Sequence, residues 1–509
     1  MRGPGGRGRA GVASQLLLWV LVALAVVVLG AQALIPLSTI PHVDMNASRV
    51  VPPVALVKGY DIYAGATDGP VIDFMYGPVG ALAFLPAALA ATPSGALLIA
   101  ALLNVVLFFA PMAWLHLRGR ETPWAIGLAG LLCFGLLAAL DGGLSYSAFT
   151  IHIDAPALAL CATAAALLLT RRPREGDGRV ILSSACAALA VWTKQTTVPI
   201  TVALPLFLLA TDGRATAVRH CLWTAAFGLG LAALFVAWFG YEPMVFNMFT
   251  LLQHHPWYGE AEGHGRLPAA LNSLRLLAIA NRVPALLVAL VAVLAARGRD
   301  ERTDWTRAAP WLLLLTIGVL NVPMCVLGGA KVGGYLNTHS YTTYFVLGAA
   351  TVGLTRLAAR RPGGPATLAL AALLLVLMGR FVTAPLSARL VRQAWARAAA
   401  WSDNPQQQAY DFARAHPGEA YFPWNPLSTL LADGVLFHSE IGMWNRELAG
   451  IEPTPAHLRQ HLPAGVRIVA SRPPTGNLTW LPPANHHMPG FTHPGSVPGL
   501  EGWDVFTRE

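Results

Sequence analysis

The chain has 509 residues, 55% hydrophobic and 12% charged, with a formal net charge of +9. An average soluble domain carries about 25% charged residues, and only a bilayer absorbs so much apolar surface, at roughly 20 mainly apolar residues per span. Nucleic acid is not indicated by the positive balance, because Lys and Arg stand in short clusters between apolar runs and form no continuous basic face.

Eleven apolar runs read as spans, at about 14–36, 95–117, 123–140, 154–170, 179–193, 196–211, 221–240, 281–296, 308–329, 341–359 and 365–383. Arg2, Arg7 and Arg9 precede the first run, which is longer than a usual signal-peptide core and is expected to stay as an anchor. A further run at 77–91 contains Pro78 and Pro86. If it crossed the membrane, every later loop would invert and Arg171, Arg172, Arg174 and Arg179 would be exported, against the positive-inside rule. It is therefore expected to be a broken juxtamembrane element on the outer side. The N-terminus is then cytoplasmic, and residues 37–94 form a large outer loop. Residues 384–509 are richer in Pro, His, Asn and Trp and include the strand-like Val466–Ala470. They are expected to form a soluble, extracytoplasmic, mixed α/β domain beyond a membrane domain of residues 1–383. The five cysteines all fall in apolar runs and read as small buried hydrophobes.

Unusual polar residues gather in the segments assigned to the outer face. The first loop carries Asp44, then Gly59-Tyr60-Asp61-Ile62-Tyr63, then Asp73-Phe74-Met75-Tyr76-Gly77-Pro78. Asp44 alone also reads as a helix cap, Asp61 and Asp68 as turn residues beside glycine, and Asp73 as a weaker rival to Asp44. Next comes His152-Ile153-Asp154-Ala155-Pro156 at the mouth of an apolar run. Two acids from separate loops can converge as a base and an orienter for a hydroxyl nucleophile, although Asp154 too reads as a cap. Lys194, in Trp192-Thr193-Lys194-Gln195, sits between two short spans, where a cation is costly unless it serves a function or snorkels to the headgroups. Lys331-Val332-Gly333-Gly334-Tyr335-Leu336-Asn337 supplies a second cation, and two such lysines suit a phosphate at the lipid boundary. The longest mid-chain outer loop holds His254 and His255, whose side chains diverge on any regular element. No metal site is expected there, and a divalent metal has no ligand set to support it. Nor does any nucleotide-binding or serine-hydrolase motif stand in a credible context.

In order and sidedness these motifs resemble the GT-C glycosyltransferases, especially the branch of protein O-mannosyltransferases and aminoarabinose transferases. Asp44, Gly59 fifteen residues on, the 77–91 element, Asp154, Thr193-Lys194 and the Lys331–Asn337 segment carry the resemblance. After Asp44 the aminoarabinose branch continues with Glu, where this chain has Met45, and Asp61 stays open as an alternative first acid. The resemblance implies a GT-C-like membrane domain in which a sugar passes, with inversion, from a polyprenyl-phosphate donor to an acceptor on the extracytoplasmic face of the inner membrane. It implies Asp44 as base and Asp154 as orienter or second base. Lys194 and Lys331 would contact the phosphate, with Tyr335, Asn337, His254 and Tyr63 around the lipid phosphate and sugar. The implied partners are the lipid-linked donor, a glycan, lipid or protein acceptor and membrane lipids, with no nucleic acid. The alternatives are a lipid-linked saccharide flippase and a non-enzymatic envelope scaffold.

Overall fold

The computed structural model describes residues 9–72, 74–118, 122–171, 177–260, 262–297, 310–382, 387–462, 465–472, 485–488 and 490–508. Asp73, Arg2, Arg7, Arg172 and Arg174, which figure in the reading above, lie outside the described residues.

Where described, the eleven apolar runs lie mainly on helices, and among the described residues five stretches are by length and composition long and apolar enough to cross a membrane. They hold α1 (Arg9–Leu37), α4 (Pro93–Leu117), α10 (Arg214–Phe239), α13 (Arg266–Arg297), and the pair α14 (Pro310–Leu320) and α15 (Val322–Ala330). At 1.5 Å per residue, α1 is about 43 Å long, more than a hydrocarbon core of about 30 Å requires. The Thr92 hydroxyl caps α4 by accepting from Gly95 N at 3.2 Å, with Pro93 in the first turn. Helix α5 (Trp124–Leu140) breaks by 105° into α6 (Gly142–Phe149), and together they make a sixth candidate span. Asp141 sets the break, since its Oδ1 accepts from Leu144 N at 2.8 Å and starts the new helix.

Shorter apolar helices complete the bundle: α7 (Asp154–Leu169), α8 (Gly178–Val191), α9 (Ile200–Thr211) and α17 (Pro365–Val382). Helix α16 (Ser340–Arg360) lies at the centre, packed against α5, α13, α14 and α17 and buried along nearly its whole length. Its first turns carry Ser340, Tyr341, Thr342, Thr343 and Tyr344, so its interior position comes from packing and hydrogen bonding more than from hydropathy. The 77–91 run forms α3 (Pro78–Leu82) and a 3-10 turn, Leu85–Leu89, each too short to cross a bilayer.

Ahead of them, α2 (Asp44–Val57) follows the first span, and α11 (Tyr241–Val245) and α12 (Leu251–His254) follow α10. The C-terminal part begins with α18 (Ser387–Ala399) against α1, followed by α19 (Pro405–Ala415), α20 (Pro426–Asp433), α21 (Glu440–Leu448) and α22 (Pro455–Gln460). Four strands, β1 (Ala420–Tyr421), β2 (Ile468–Ser471), β3 (Phe491–Gly495) and β4 (Asp504–Arg508), form one sheet in the order β1-β2-β4-β3. β1 runs parallel to β2 and the other pairs are antiparallel, so this part is mixed α/β, and β2 takes up Ile468–Ala470 of the strand-like Val466–Ala470.

This part docks on the first loop. Leu427, Leu430 and Leu436 share an apolar cluster with Val50, Val54 and Phe84. Arg446 donates to the carbonyls of Ala66 (2.9 Å) and Gly65 (2.7 Å), and Ser439 N donates to Val71 O at 2.7 Å. Asn404 Nδ2 donates to Ser94 Oγ at 2.8 Å, fixing the start of α4.

Candidate functional site

The site is built on a short segment between α6 and α7 whose backbone is held from two sides. Buried Asn104 of α4 donates from Nδ2 to Ser147 O (2.9 Å) and Ala148 O (3.0 Å), carbonyls that the end of α6 leaves without helical partners. Its Oδ1 accepts from His152 N at 3.1 Å. From α2, Asn46 Oδ1 accepts from Ile151 N at 3.1 Å, while Arg49 donates to Ile151 O (3.0 Å) and to the Tyr146 hydroxyl (2.8 Å). Helix α2 is thereby clamped to the 146–154 segment.

Asp154 opens α7 and is fully buried. Its Oδ1 accepts from Lys194 Nζ at 2.5 Å and from the Tyr341 hydroxyl at 2.8 Å. Oδ2 accepts from Asn337 Nδ2 at 2.6 Å and lies 2.8 Å from His152 Nδ1, with the Ser147 hydroxyl at 3.4 Å. Burial pulls the His152 imidazole down to about 4, against the opposing pull of Asp154, so the ring is neutral near pH 7. Its Nδ1 stands 3.2 Å from Asp154 N as well as 2.8 Å from Oδ2, and Nε2 faces Asn337 Nδ2 at 3.4 Å. A carboxylate with this many donors orients its neighbours, and a buried charge of this kind is tolerated because it is both paired and hydrogen-bonded.

Lys194 sits in an extended residue between α8 and the 3-10 turn Gln195–Thr197, with its Nζ 5.4 Å from the ring centres of both Tyr76 and Tyr341. Its turn is backed by the 77–79 segment: Gly77 N donates to Thr193 O and Val79 N to Trp192 O, both at 3.2 Å. Glycine is required at 77, since a Cβ there would stand 1.9 Å from Trp192 O. Beside this turn, Val79, Leu82, Pro156, Leu189, Phe235 and Trp238 help to line an apolar cavity of about 510 Å³. Pro156 lies two residues beyond Asp154, and the Leu189 carbonyl accepts from Thr193 Oγ1 at 2.8 Å.

The remaining candidates fall around this centre. Tyr63 donates to Tyr76 O at 2.6 Å, and the Tyr76 ring stands 6.0 Å from that of His152. Tyr335, largely exposed, has its ring 5.2 Å from Tyr146. Lys331 donates from Nζ to Leu252 O (2.6 Å) and Gln253 O (3.1 Å), in α12. It thus ties the loop bearing His254 to the 331–334 turn, and burial, then Arg266, lower its pKa. His254 itself is exposed and bonds to Thr250 O. Asp61 is exposed.

Asp44 belongs to a second polar group. Its Oδ1 accepts from Gln406 Nε2 (2.9 Å) and Asn425 Nδ2 (3.0 Å), both from the C-terminal part. The carboxyl is partly accessible yet closely surrounded by protein, and burial pushes it up to about 7 against the opposing pull of the two amides. Asn46, Arg49, Asn104, Tyr341, Gln406 and Asn425 were not singled out in the sequence, where no motif surrounds them.

No family model and no curated protein matches the sequence. Among solved structures, the chain is similar to that of ArnT from Cupriavidus metallidurans bound to undecaprenyl phosphate. Identity is 13% and the TM-score 0.53, with 96% of this chain and 97% of that chain covered. ArnT in the apo state gives a TM-score of 0.50 at 13% identity over 89% of this chain and 92% of that one. At this identity the likeness concerns fold alone, and it agrees with the helical bundle and small C-terminal sheet: the chain has a GT-C-like fold.

Proposed function

We propose that the protein is an integral membrane glycosyltransferase that moves a sugar, with inversion, from a polyprenyl-phosphate carrier to an acceptor hydroxyl on the extracytoplasmic face. The observation that carries this reading is the buried Lys194–Asp154 pair beside an apolar cavity of about 510 Å³. A cation next to an apolar cavity suits a ligand with an anionic head and a hydrocarbon chain. The undecaprenyl phosphate bound in the ArnT structure is of that chemical kind.

In the proposed reaction the acceptor oxygen forms a bond to the anomeric carbon as the carbon–oxygen bond to the phosphate breaks. The bonding electrons leave with the polyprenyl phosphate, and the hydroxyl proton passes to Asp44. A carboxylate raised to about 7 is matched to proton transfer near neutral pH. An ammonium has three donors, of which Asp154 takes one, and the others are available to the phosphate as its charge grows. Asp154 holds Lys194, His152 and Asn337 in place, and Lys331 adds positive potential while fixing the loop that carries His254. Positive-inside bias supports a cytoplasmic N-terminus, with the site and the C-terminal part on the opposite side of the inner membrane.

The test is transfer from a polyprenyl-phosphate-linked sugar in proteoliposomes, with insertion of each variant verified. Asp44→Asn and Lys194→Met are expected to lower turnover by about 10²-fold or more. Full transfer by inserted Asp44→Asn overturns the base assignment. If intact donor crosses the bilayer with no bond cleaved, the transferase reading gives way to translocation.

A further inference from the structure

A cluster of metal-type donors lies in the C-terminal part, on residues other than those of the site above. Glu447 stands near the end of α21, and His486 and His487 occupy the turn before β3. One donor atom from each lies within 4.8 Å of the others. His486 Nε2 is 3.6 Å from Glu447 Oε2, and the two imidazole centres are 4.6 Å apart. Bonds of about 2.1 Å in a tetrahedral site set ligand atoms about 3.4 Å apart, so closing this group asks for movements of about 1.4 Å at most. Those are small motions for the ends of partly exposed side chains.

Glu440 supplies the independent observation. Two turns before Glu447 on the same helix, its side chain is fully buried. Its Oε1 accepts from His487 Nδ1 at 2.8 Å, while its other oxygen, Oε2, has no hydrogen-bond partner among the described residues. A buried carboxylate with half its acceptor capacity unused is expensive, and a nearby divalent charge offsets that cost. With the Nδ1 proton given to Glu440, the lone pair of His487 lies on Nε2. This is the carboxylate–histidine–metal arrangement that fixes the tautomer of a ligating imidazole.

We propose that Glu447, His486 and His487 bind one zinc-type divalent cation, with Glu440 as the positioning residue behind His487. Two imidazoles and one carboxylate favour a borderline cation over Mg²⁺, which prefers an all-oxygen shell, and a fourth position is left for water. The ion would tie α21 to the sheet. Because Arg446 of the same helix holds the carbonyls of Gly65 and Ala66, the tie would extend to the first loop.

The experiment uses the full chain, purified in detergent without a polyhistidine tag, stripped with chelator and equilibrated separately with Zn²⁺ and Mg²⁺. After desalting, metal content is measured by mass spectrometry and unfolding by a thermal scan. One equivalent of Zn²⁺ and no Mg²⁺ is expected, with Zn²⁺ raising the unfolding temperature. Glu447→Gln and His486→Ala should weaken Zn²⁺ binding at least tenfold and abolish the thermal shift, and Glu440→Gln should weaken it by about 10–100-fold. His486 is 40% exposed, so its replacement leaves the fold intact. The proposal is overturned if Zn²⁺ is not retained, if Mg²⁺ is retained equally, or if both Glu447→Gln and His486→Ala bind Zn²⁺ as the parent does.

Discussion

Asp44 and Asp154 are both acids at the start of a helix, yet their surroundings make them chemically different. Asp154 is held by Lys194, Tyr341, Asn337 and His152, whereas Asp44 receives two neutral amide donors, from Gln406 and Asn425, and titrates near 7 because it is closely surrounded. Each amide favours the ionised form, so Gln406→Ala or Asn425→Ala should raise the pKa of Asp44. The acid limb of the pH–rate profile for transfer, expected at about 7 in the parent, should then move upward by about one pH unit, since a hydrogen bond to a charged group contributes about 1.5–3 kcal/mol. An unmoved limb would remove Asp44 as the base. Stability gives a second reading of the same group. A carboxyl whose folded pKa lies above its unfolded value binds more protons folded than unfolded between about pH 4 and 7. Stability therefore falls as pH rises through that window, and Asp44→Asn should flatten the fall, as thermal scans at pH 5 and pH 8 would record. For the other acid, Asp154→Asn leaves Lys194 buried without its counter-charge and should cost about 3–5 kcal/mol. In the double variant Asp154→Asn/Lys194→Met, unfolding temperature should largely recover and transfer should not, which separates the pair's structural part from its chemical one.

Among the elements, the contact between the 77–79 segment and the 192–194 turn decides where Lys194 stands. Gly77→Ala would put a methyl group 1.9 Å from Trp192 O, so one backbone must retreat, at a cost of about 1–3 kcal/mol and with Lys194 displaced. Transfer should fall by about tenfold or more, because a misplacement of about 1 Å is costly in a reaction that depends on alignment. Gly228→Ala in α10, where an added Cβ meets nothing within 4 Å, is the matched control and should leave activity unchanged. Much of this level was legible in the chain. Long apolar runs marked the helices, proline and charge bias kept 77–91 from being read as a span, and Asp154 and Thr193-Lys194 stood out because charge is scarce in such segments. Asn46, Arg49 and Asn104 did not stand out. Each acts on the backbone of a segment 43 to 105 residues away, and neither periodicity nor a local motif encodes such a pairing. Tyr341 was hidden for a related reason: it lies within the apolar run at 341–359, and only the folded bundle turns its hydroxyl toward Asp154.

At the scale of the whole molecule, the C-terminal part looked in the sequence like a separate appendage of unknown partner, and in the fold it is fastened to the loop that precedes Tyr76 and Gly77. Arg446 is a buried fastener, 1% exposed, with both terminal nitrogens spent on backbone carbonyls and its guanidinium carbon 5.0 Å from the ring centre of Phe246. One side chain thus ties α21 to the first loop and to the segment after α10. Arg446→Met keeps most of the volume but leaves the Gly65 and Ala66 carbonyls without these donors, a loss of about 1–3 kcal/mol confined to the docking contact. The expected signature is local. Limited proteolysis should cut at 63–72 faster than in the parent while the helical bundle stays resistant, and transfer should fall in step with that cleavage. Arg446→Lys, able to satisfy one carbonyl where arginine satisfies two, should be intermediate on both measures. If proteolysis rises while transfer does not change, the C-terminal part is docked for stability alone; parallel losses would mean that its grip on the first loop helps to hold Tyr76 and Gly77 against the Lys194 turn.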